Sequence, residues 1–300
     1  FGLNPTVFHF DNLILHLICV FFVYRVTLGL GMNKWGAVLV ALLFGIHPMR
    51  VESVAWATER KDVLFGAFYF AAIWTYLKYL KTEKRTFYIL TIVLFVFSLF
   101  SKIQAVALPL SLLAIDYYLK KPLKIGLLIN KIPFFALSLA FGLYGIYGLG
   151  SDGSLEDTTQ YSFFERLAVG AYSYCVYLMK FVLPYEMSPL YPYQKEMPTQ
   201  YYAGFFGVIL MIIAFFKAFK NGYRNTVFGI AFFTFNVMFV LQILSAGQGL
   251  LADRFTYIAY FGLFFLMAVG LDQLATQQKS YKDVITYGAL AYAAVFCFMT

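Results

Sequence analysis

The chain has 300 residues, 61% of them hydrophobic and only 13% charged, with a formal net charge of +8. This composition excludes an ordinary soluble domain, and the absence of alternating ten-residue strands excludes a transmembrane β-barrel. The basic excess suits cytoplasmic loops of a membrane protein rather than a nucleic-acid surface.

Apolar runs predict helical segments over 13–30, 33–47, 63–80, 86–101, 103–119, 125–149, 161–183, 200–219, 225–246, 255–275 and 283–300. The first carries His16, expected to make one helix–helix hydrogen bond, and Arg25, expected to reach the inner interface. Next comes "HPMRVESVAWATERKD" (47–62). Pro48 ends the preceding helix near His47 and can start another, predicted over 49–62, with Glu52, Trp56 and Glu59 on one face. Residues 86–119 split at "SKIQ", because Lys102 would otherwise lie mid-helix. The run 161–183 carries Glu165, Arg166, Lys180 and four tyrosines, which fits an interfacial or re-entrant helix better than a span. If that run does not cross, 15 of 23 basic residues fall on inside loops, opposed only by Glu83, Asp116, Asp272 and Asp283. The expected fold is therefore all-α: one polytopic transmembrane domain over 1–300, with about ten crossings plus one interfacial or re-entrant helix. Cys19, Cys175 and Cys297 sit in apolar runs without a metal or redox spacing, as small core hydrophobes.

This topology gathers the distinctive stretches on the outer face: 47–62, "SKIQAVALP" (101–109), "LPYEMSPLYPY" (183–193) and "GQGLLADRFTYIA" (247–259). Arg60, Lys61, Lys102 and Arg254 are candidate ligands for a lipid-linked phosphate, Arg as a bidentate fork and Lys as a point charge. Glu52 and Asp62 are candidate carboxylates for base catalysis or for binding a sugar hydroxyl. His47, Trp56, Gln104, Glu186, Tyr191, Asp253 and Tyr257 are candidate pocket walls. Each has a plainer alternative. The cations can snorkel or join internal ion pairs, and His47 can be a hydrogen-bonded helix terminus. Asp253 and Arg254 can pair with each other, and the proline- and tyrosine-rich loop can be an interfacial plug. Asp116 falls at the far, inner end. There are three histidines, at 9, 16 and 47, and no metal-ligand spacing, Walker loop, GxGxxG or GxSxG. ATP hydrolysis and serine hydrolysis are thereby disfavoured. No cofactor is implied, and a divalent cation stays open.

Four blocks, "HPMRVESVAWATERKDVLFGAFYFAAIWTY", "SKIQAVALPLSLLAIDYY", "VLPYEMSPLYPY" and "ADRFTYIA", together resemble the membrane domain of the transmembrane and tetratricopeptide-repeat O-mannosyltransferases and their bacterial relatives. The resemblance runs in the same order over most of residues 1–275. It implies a GT-C glycosyltransferase fold. Such an enzyme takes a sugar from a polyprenyl-phosphate carrier and transfers it, usually with inversion, to an acceptor hydroxyl, such as a protein Ser or Thr, on the extracytoplasmic side. It implies membrane lipid, a lipid-linked sugar and an acceptor protein or glycan as partners. The membrane would be the bacterial cytoplasmic membrane, or the endoplasmic reticulum in a eukaryote. One departure concerns the base. The family's catalytic acidic residues lie after its first helix, and "FGLNPTVFHFDN" resembles the end of that loop. The first helix and main base are thus expected before Phe1, and tetratricopeptide repeats after residue 300. Two other readings suit the same residues: a transporter or flippase of lipid-linked substrates, and a non-catalytic membrane scaffold.

Overall fold

A computed structural model describes residues 4–121, 125–151, 161–188, 190–243, 249–277, 288, 291–292 and 294–296. Among these the chain is mostly helical, with one isolated β-bridge between Pro192 and Gly249 and no strand. The helices are α1 (Pro5–Gly29), α2 (Lys34–Ile46), α3 (Val51–Ala55), α4 (Arg60–Thr82), α5 (Arg85–Ser101) and α6 (Leu108–Tyr118). They continue with α7 (Ile125–Ile129), α8 (Ile132–Ser151), α9 (Phe163–Val182), α10 (Ala203–Lys220), α11 (Arg224–Val237) and α12 (Tyr260–Gln277). Asn4 and Asn33 cap α1 and α2 through their side-chain oxygens, and Ser162 with Glu165 forms a capping box on α9.

Four stretches are long and apolar enough to cross a bilayer: Pro5–Gly29, Ala57–Thr82, Ile125–Gly148 and Thr199–Lys220. A fifth would be α2 with Pro48–Ala55, bent by 59°. Arg85–Ser101, Ile103–Tyr118, Arg224–Val240 and Tyr260–Ala275 are apolar but shorter. Large side chains such as Leu17, Phe21, Phe206 and Ile213 face outward, as lipid solvent permits and water does not. The chain is a helical membrane protein.

Ring-on-ring packing fills the interior, where Phe44, Phe70, Phe261, Phe232 and Phe228 meet largely edge to face. Helices α11 and α12 approach backbone to backbone, because a Cβ on Gly262 would lie 2.6 Å from the Gly229 carbonyl oxygen. A polar knot joins three helices. The Tyr69 hydroxyl donates to Asn236 Oδ1 at 2.8 Å, and Asn236 Nδ2 donates to Ser111 Oγ at 2.9 Å. Such buried bonds matter in an apolar solvent, where the alternative is an unpaired polar group.

Side-chain contacts divide the bundle into two ends. At the first, Asn33 donates to Asp272, Arg224 to the Tyr117 carbonyl and Lys121 to the Leu80 carbonyl. At the second, Asn12, Glu52, Asp62, Lys102, Lys180, Asp253 and Arg254 interact. Asp62 and Leu80 lie on α4 about 27 Å apart at 1.5 Å per residue. The predicted segregation of basic connectors from the motif-bearing stretches is present in the packing. Helix α9 differs from its neighbours. Tyr161 before its start donates to the Gln194 carbonyl, while Lys180 near its end reaches the Glu186 carbonyl, so the loop after α9 folds back along it.

Three expectations need correction. Residues 49–62 are not one helix: a 3-10 turn (Pro48–Arg50) leads into α3, Trp56 is extended at ψ 114°, and a second 3-10 turn (Ala57–Glu59) leads into α4. Asn12 causes the break by donating from Nδ2 to the carbonyls of Val54 and Trp56, which solvates backbone that a continuous helix would use itself. Helix α4 starts at Arg60, three residues before the apolar run, with Asp62 in its first turn, where a carboxylate suits the helix dipole. The run 125–149 is one candidate span but not one unbroken helix: a turn separates α7 from α8, where Lys131 turns inward to Asp116 at 2.7 Å. The run 283–300 lies mostly outside the described residues; Phe296 stacks edge-on to His47 at 4.6 Å.

Candidate functional site

The second end of the bundle is built by chain breaks. Each α-helix that stops there exposes polar backbone groups, and side chains from other helices satisfy them. His47 caps the turn after the Pro48 break and ties it to α9. Its Nδ1 accepts from Met49 N at 3.2 Å, which fixes the neutral tautomer with a proton on Nε2, and Nε2 donates to the Phe181 carbonyl at 3.2 Å. Gln104 bridges in the same way, donating to the carbonyls of Asn236 and Phe255. The Tyr257 hydroxyl bonds His16 Nδ1 at 2.7 Å, and His16 Nε2 reaches the Gly45 carbonyl. These three site candidates are buried, and they set the positions of the chain breaks.

Among the described residues six ion pairs occupy this end. Arg254 donates to Glu52 from both its backbone N–H, at 2.8 Å, and its guanidinium, while its Nε lies 3.7 Å from Glu59. Lys61 pairs with Glu59 at 3.4 Å. Lys102 pairs with the fully buried Asp62 at 2.5 Å, and Ser53 Oγ donates to the same carboxylate at 3.2 Å. Lys180 pairs with Asp253 at 3.2 Å, and the Tyr191 hydroxyl donates to both Asp253 oxygens at 2.9 and 3.1 Å. Arg60 pairs with Asp11 at 3.2 Å on the more exposed side. Asp253 and Arg254 therefore do not pair with each other. Adjacent in sequence, they point to opposite partners on α9 and α3.

A cavity of about 570 Å³ opens among Glu52, Trp56, Met187, Ser188 and Asp253, with Pro48 at its edge. Trp56 lies beneath the Arg254 guanidinium at 5.7 Å, a cation–π stack that holds the fork beside the cavity. Burial pushes the Glu52 carboxyl above its ordinary range, against the Arg254 backbone N–H and guanidinium, which hold it down. Burial raises Asp253 as well, opposed by Lys180 and the Tyr191 hydroxyl. Two carboxylates with raised proton affinity thus face one cavity, each held in place by a cation.

Of the sequence candidates, Glu52, Trp56 and Asp253 line this cavity, and Arg254 touches it through Glu52. Asp62 and Lys102 form a closed pair behind it, Arg60 and Lys61 lie along the outer edge, and Glu186 with Tyr191 line a neighbouring cavity. Sequence reasoning missed Asn12, Ser188 and Arg50, and read Lys180 only as an interfacial charge. Arg50 is buried among the rings of Phe44, Tyr257, Tyr260 and Phe264 at 4.8 to 6.0 Å, and its guanidinium has no hydrogen-bond partner among the described residues. A lone charge between Met49 and Val51 was the available signal.

The fold and this end of the bundle define a polytopic helical membrane protein with an ion-paired, partly apolar cavity at one face. Similarity to known proteins is more specific. The chain is 37% identical over 76 residues to the protein O-mannosyl-transferase TMTC1 of Homo sapiens, covering 25% of this chain and 9% of that protein. It is 29% identical over 105 residues to Tmtc1 of Drosophila melanogaster, covering 35% of this chain and 12% of that protein. It is 30% identical over 82 residues to TMTC2 of Mus musculus, covering 27% and 10%. The matches support a relationship to the protein O-mannosyl-transferases of this group. The matched stretch spans about a tenth of the length of these relatives. No protein-family profile and no solved structure matches the chain.

Proposed function

We propose that this chain is the membrane part of a glycosyltransferase that moves a sugar from a polyprenyl-phosphate carrier to an acceptor hydroxyl, on the extracytoplasmic side. One observation carries the reading beyond the similarity: Glu52 lines a cavity open enough for a head group while both its oxygens hold Arg254. Apart from Arg50, the cations at this end are matched by carboxylates. An arriving carrier phosphate competes for the Arg254 fork, which suits phosphate as well as carboxylate. Exchange of partner leaves Glu52 free to accept a proton. The acceptor oxygen then attacks the anomeric carbon and its proton passes to a carboxylate, Glu52 or a base elsewhere in the protein. The bond from the anomeric carbon to the phosphate oxygen breaks, and its electron pair leaves on the carrier phosphate beside Arg254. Asp62 and Lys102 act in this scheme as the support behind the site.

The same reading assigns about ten crossings, with α9 lying laterally at the outer face. The return of the loop after α9 along that helix supports the lateral placement. The test is transfer of labelled sugar from polyprenyl-phosphate mannose to a Ser/Thr peptide by the full-length protein in lipid nanodiscs. Transfer that falls at least tenfold in Arg254→Gln is expected, since a lost charge-assisted bond to a buried group amounts to roughly 1.5–3 kcal/mol. Carrier movement between leaflets without sugar transfer would replace this reading with the transporter.

A further inference from the structure

A second cavity, of about 310 Å³, lies beside the first, and a wall of hydrogen-bonded side chains separates them. The wall is a single hydrogen-bonded unit. Asp253 and Ser188 line the first cavity; Lys180 and Tyr191 line the second. Lys180 and the Tyr191 hydroxyl bind Asp253, and Ser188 N donates to Tyr191 Oη at 2.9 Å and to Asp253 at 3.3 Å. The wall is also anchored from outside. Leu250 N donates to the Tyr191 carbonyl at 2.7 Å, and the Tyr161 hydroxyl donates to the Gln194 carbonyl at 2.7 Å.

The lining of the second cavity is chemically unlike that of the first. Tyr172, Tyr185 and Tyr201 supply ring surface, with Tyr172 and Tyr201 stacked at 4.4 Å, and Gln194 and Gln200 supply amides. Besides tyrosines, its ionisable lining groups are Lys180 and Glu186. The charge of Lys180 is already matched by Asp253 and Glu186 is an exposed carboxylate, so among the described lining residues no uncommitted cation is offered to a phosphate. Tyrosine faces and amides instead suit an uncharged, hydrogen-bonding ligand: amides pair with peptide groups or hydroxyls, and rigid tyrosines give contact area at little entropic cost.

We propose that this second cavity is the acceptor site, and that it takes an extended, uncharged, Ser- or Thr-bearing peptide segment. The inference rests on the transferase reading above. It assigns the two substrates of that reaction to the two sides of the Lys180–Tyr191–Asp253 wall: the carrier head group beside Glu52 and Arg254, the acceptor among Tyr185, Gln194 and Gln200.

The experiment is photo-cross-linking of a synthetic Ser/Thr peptide carrying a benzophenone side chain to the full-length protein in nanodiscs, followed by mass mapping and a binding titration. Adducts within residues 185–201, competed by unmodified peptide and not by polyprenyl phosphate, are expected. Tyr185→Ala and Gln200→Ala should weaken peptide binding roughly three- to tenfold, as loss of one aromatic or hydrogen-bonding contact implies. In the transfer assay the same variants should raise the KM for peptide and leave the KM for donor in place. Adducts elsewhere, competition by polyprenyl phosphate, or displacement by a neutral oligosaccharide but not by peptide would overturn the assignment. Peptide binding at 185–201 in a protein that transfers no sugar would uphold the cavity and sink the transferase reading. Transfer with unaltered peptide binding in both variants would do the reverse.

Discussion

Removing the charge of Glu52 probes the organising ion pair without altering the shape of the side chain. In Glu52→Gln the amide oxygen can still accept from Arg254 N, but the charge-assisted bond to the guanidinium is lost. A hydrogen bond to a charged group contributes about 1.5–3 kcal/mol. Arg254 keeps Glu59 at 3.7 Å, and its side chain is 21% exposed, so the cost belongs at the lower end, about 1–2 kcal/mol. Arg254→Gln is worse, because it strands Glu52, whose side chain is only 9% exposed, while Glu59 keeps Lys61. Breaking a buried pair from one side costs about 3–5 kcal/mol, and the partial exposure of Arg254 places this case near 3. The double variant leaves only Glu59 charged, with Lys61 still beside it. Its cost should fall short of the sum of the singles by about 1–2 kcal/mol, the coupling of residues in direct contact. Denaturant titration of the detergent-solubilised protein, read by tryptophan fluorescence, measures all four species. Additivity within about 0.5 kcal/mol would refute the pairing and the partner exchange built on it.

The closed pair behind the cavity should behave differently: Lys102→Met strands the fully buried Asp62 and should cost about 3–5 kcal/mol, while the double variant with Asp62→Asn should recover most of it. Equal loss in single and double variants, in the same titration, would contradict that. Gly262→Val forces α11 and α12 apart, because its Cβ already meets backbone at 2.6 Å, and should cost at least about 1–3 kcal/mol of overpacking. A melting temperature equal to that of the parent would contradict the close approach. Single cysteines introduced over 184–199 should react with a membrane-impermeant maleimide from the same side as cysteines at Lys61 or Trp56, and from the side opposite Lys220. Labelling of 184–199 from the Lys220 side would remove the lateral placement of α9.

Much of the bundle was legible because apolar runs in lipid need little else to become helices. Boundaries at Gly29, Ile46, Ser101 and Val182 fall within two residues of the expected ends. The break at Trp56 was not legible, because its cause is Asn12, some forty residues away, reaching two backbone carbonyls. The inward turn of Lys131 likewise depends on Asp116 and Tyr76 from other helices. At the site, residue types betrayed the charged cluster but could not assign partners. Asp253 and Arg254 look like a natural pair in sequence. A 3-10 turn over Asp253–Thr256 sends one toward Lys180 and the other toward Glu52. Lys180 was hidden by its place in an amphipathic helix, where a lysine at the polar edge looks like an anchor.

The cavity beside Glu52 and Trp56 can be probed with its proposed ligand. A polyprenyl phosphate bearing a photoreactive group next to the phosphate, incorporated in nanodiscs with the full-length protein, should label residues 48–56, 187–188 and 253–254. Labelling should fall about tenfold in Arg254→Gln, as loss of one charge-assisted phosphate contact implies. Labelling confined to the lipid-facing surfaces of α1, α8 or α10, undiminished in that variant, would show that the ion-paired end of the bundle does not receive the carrier head group.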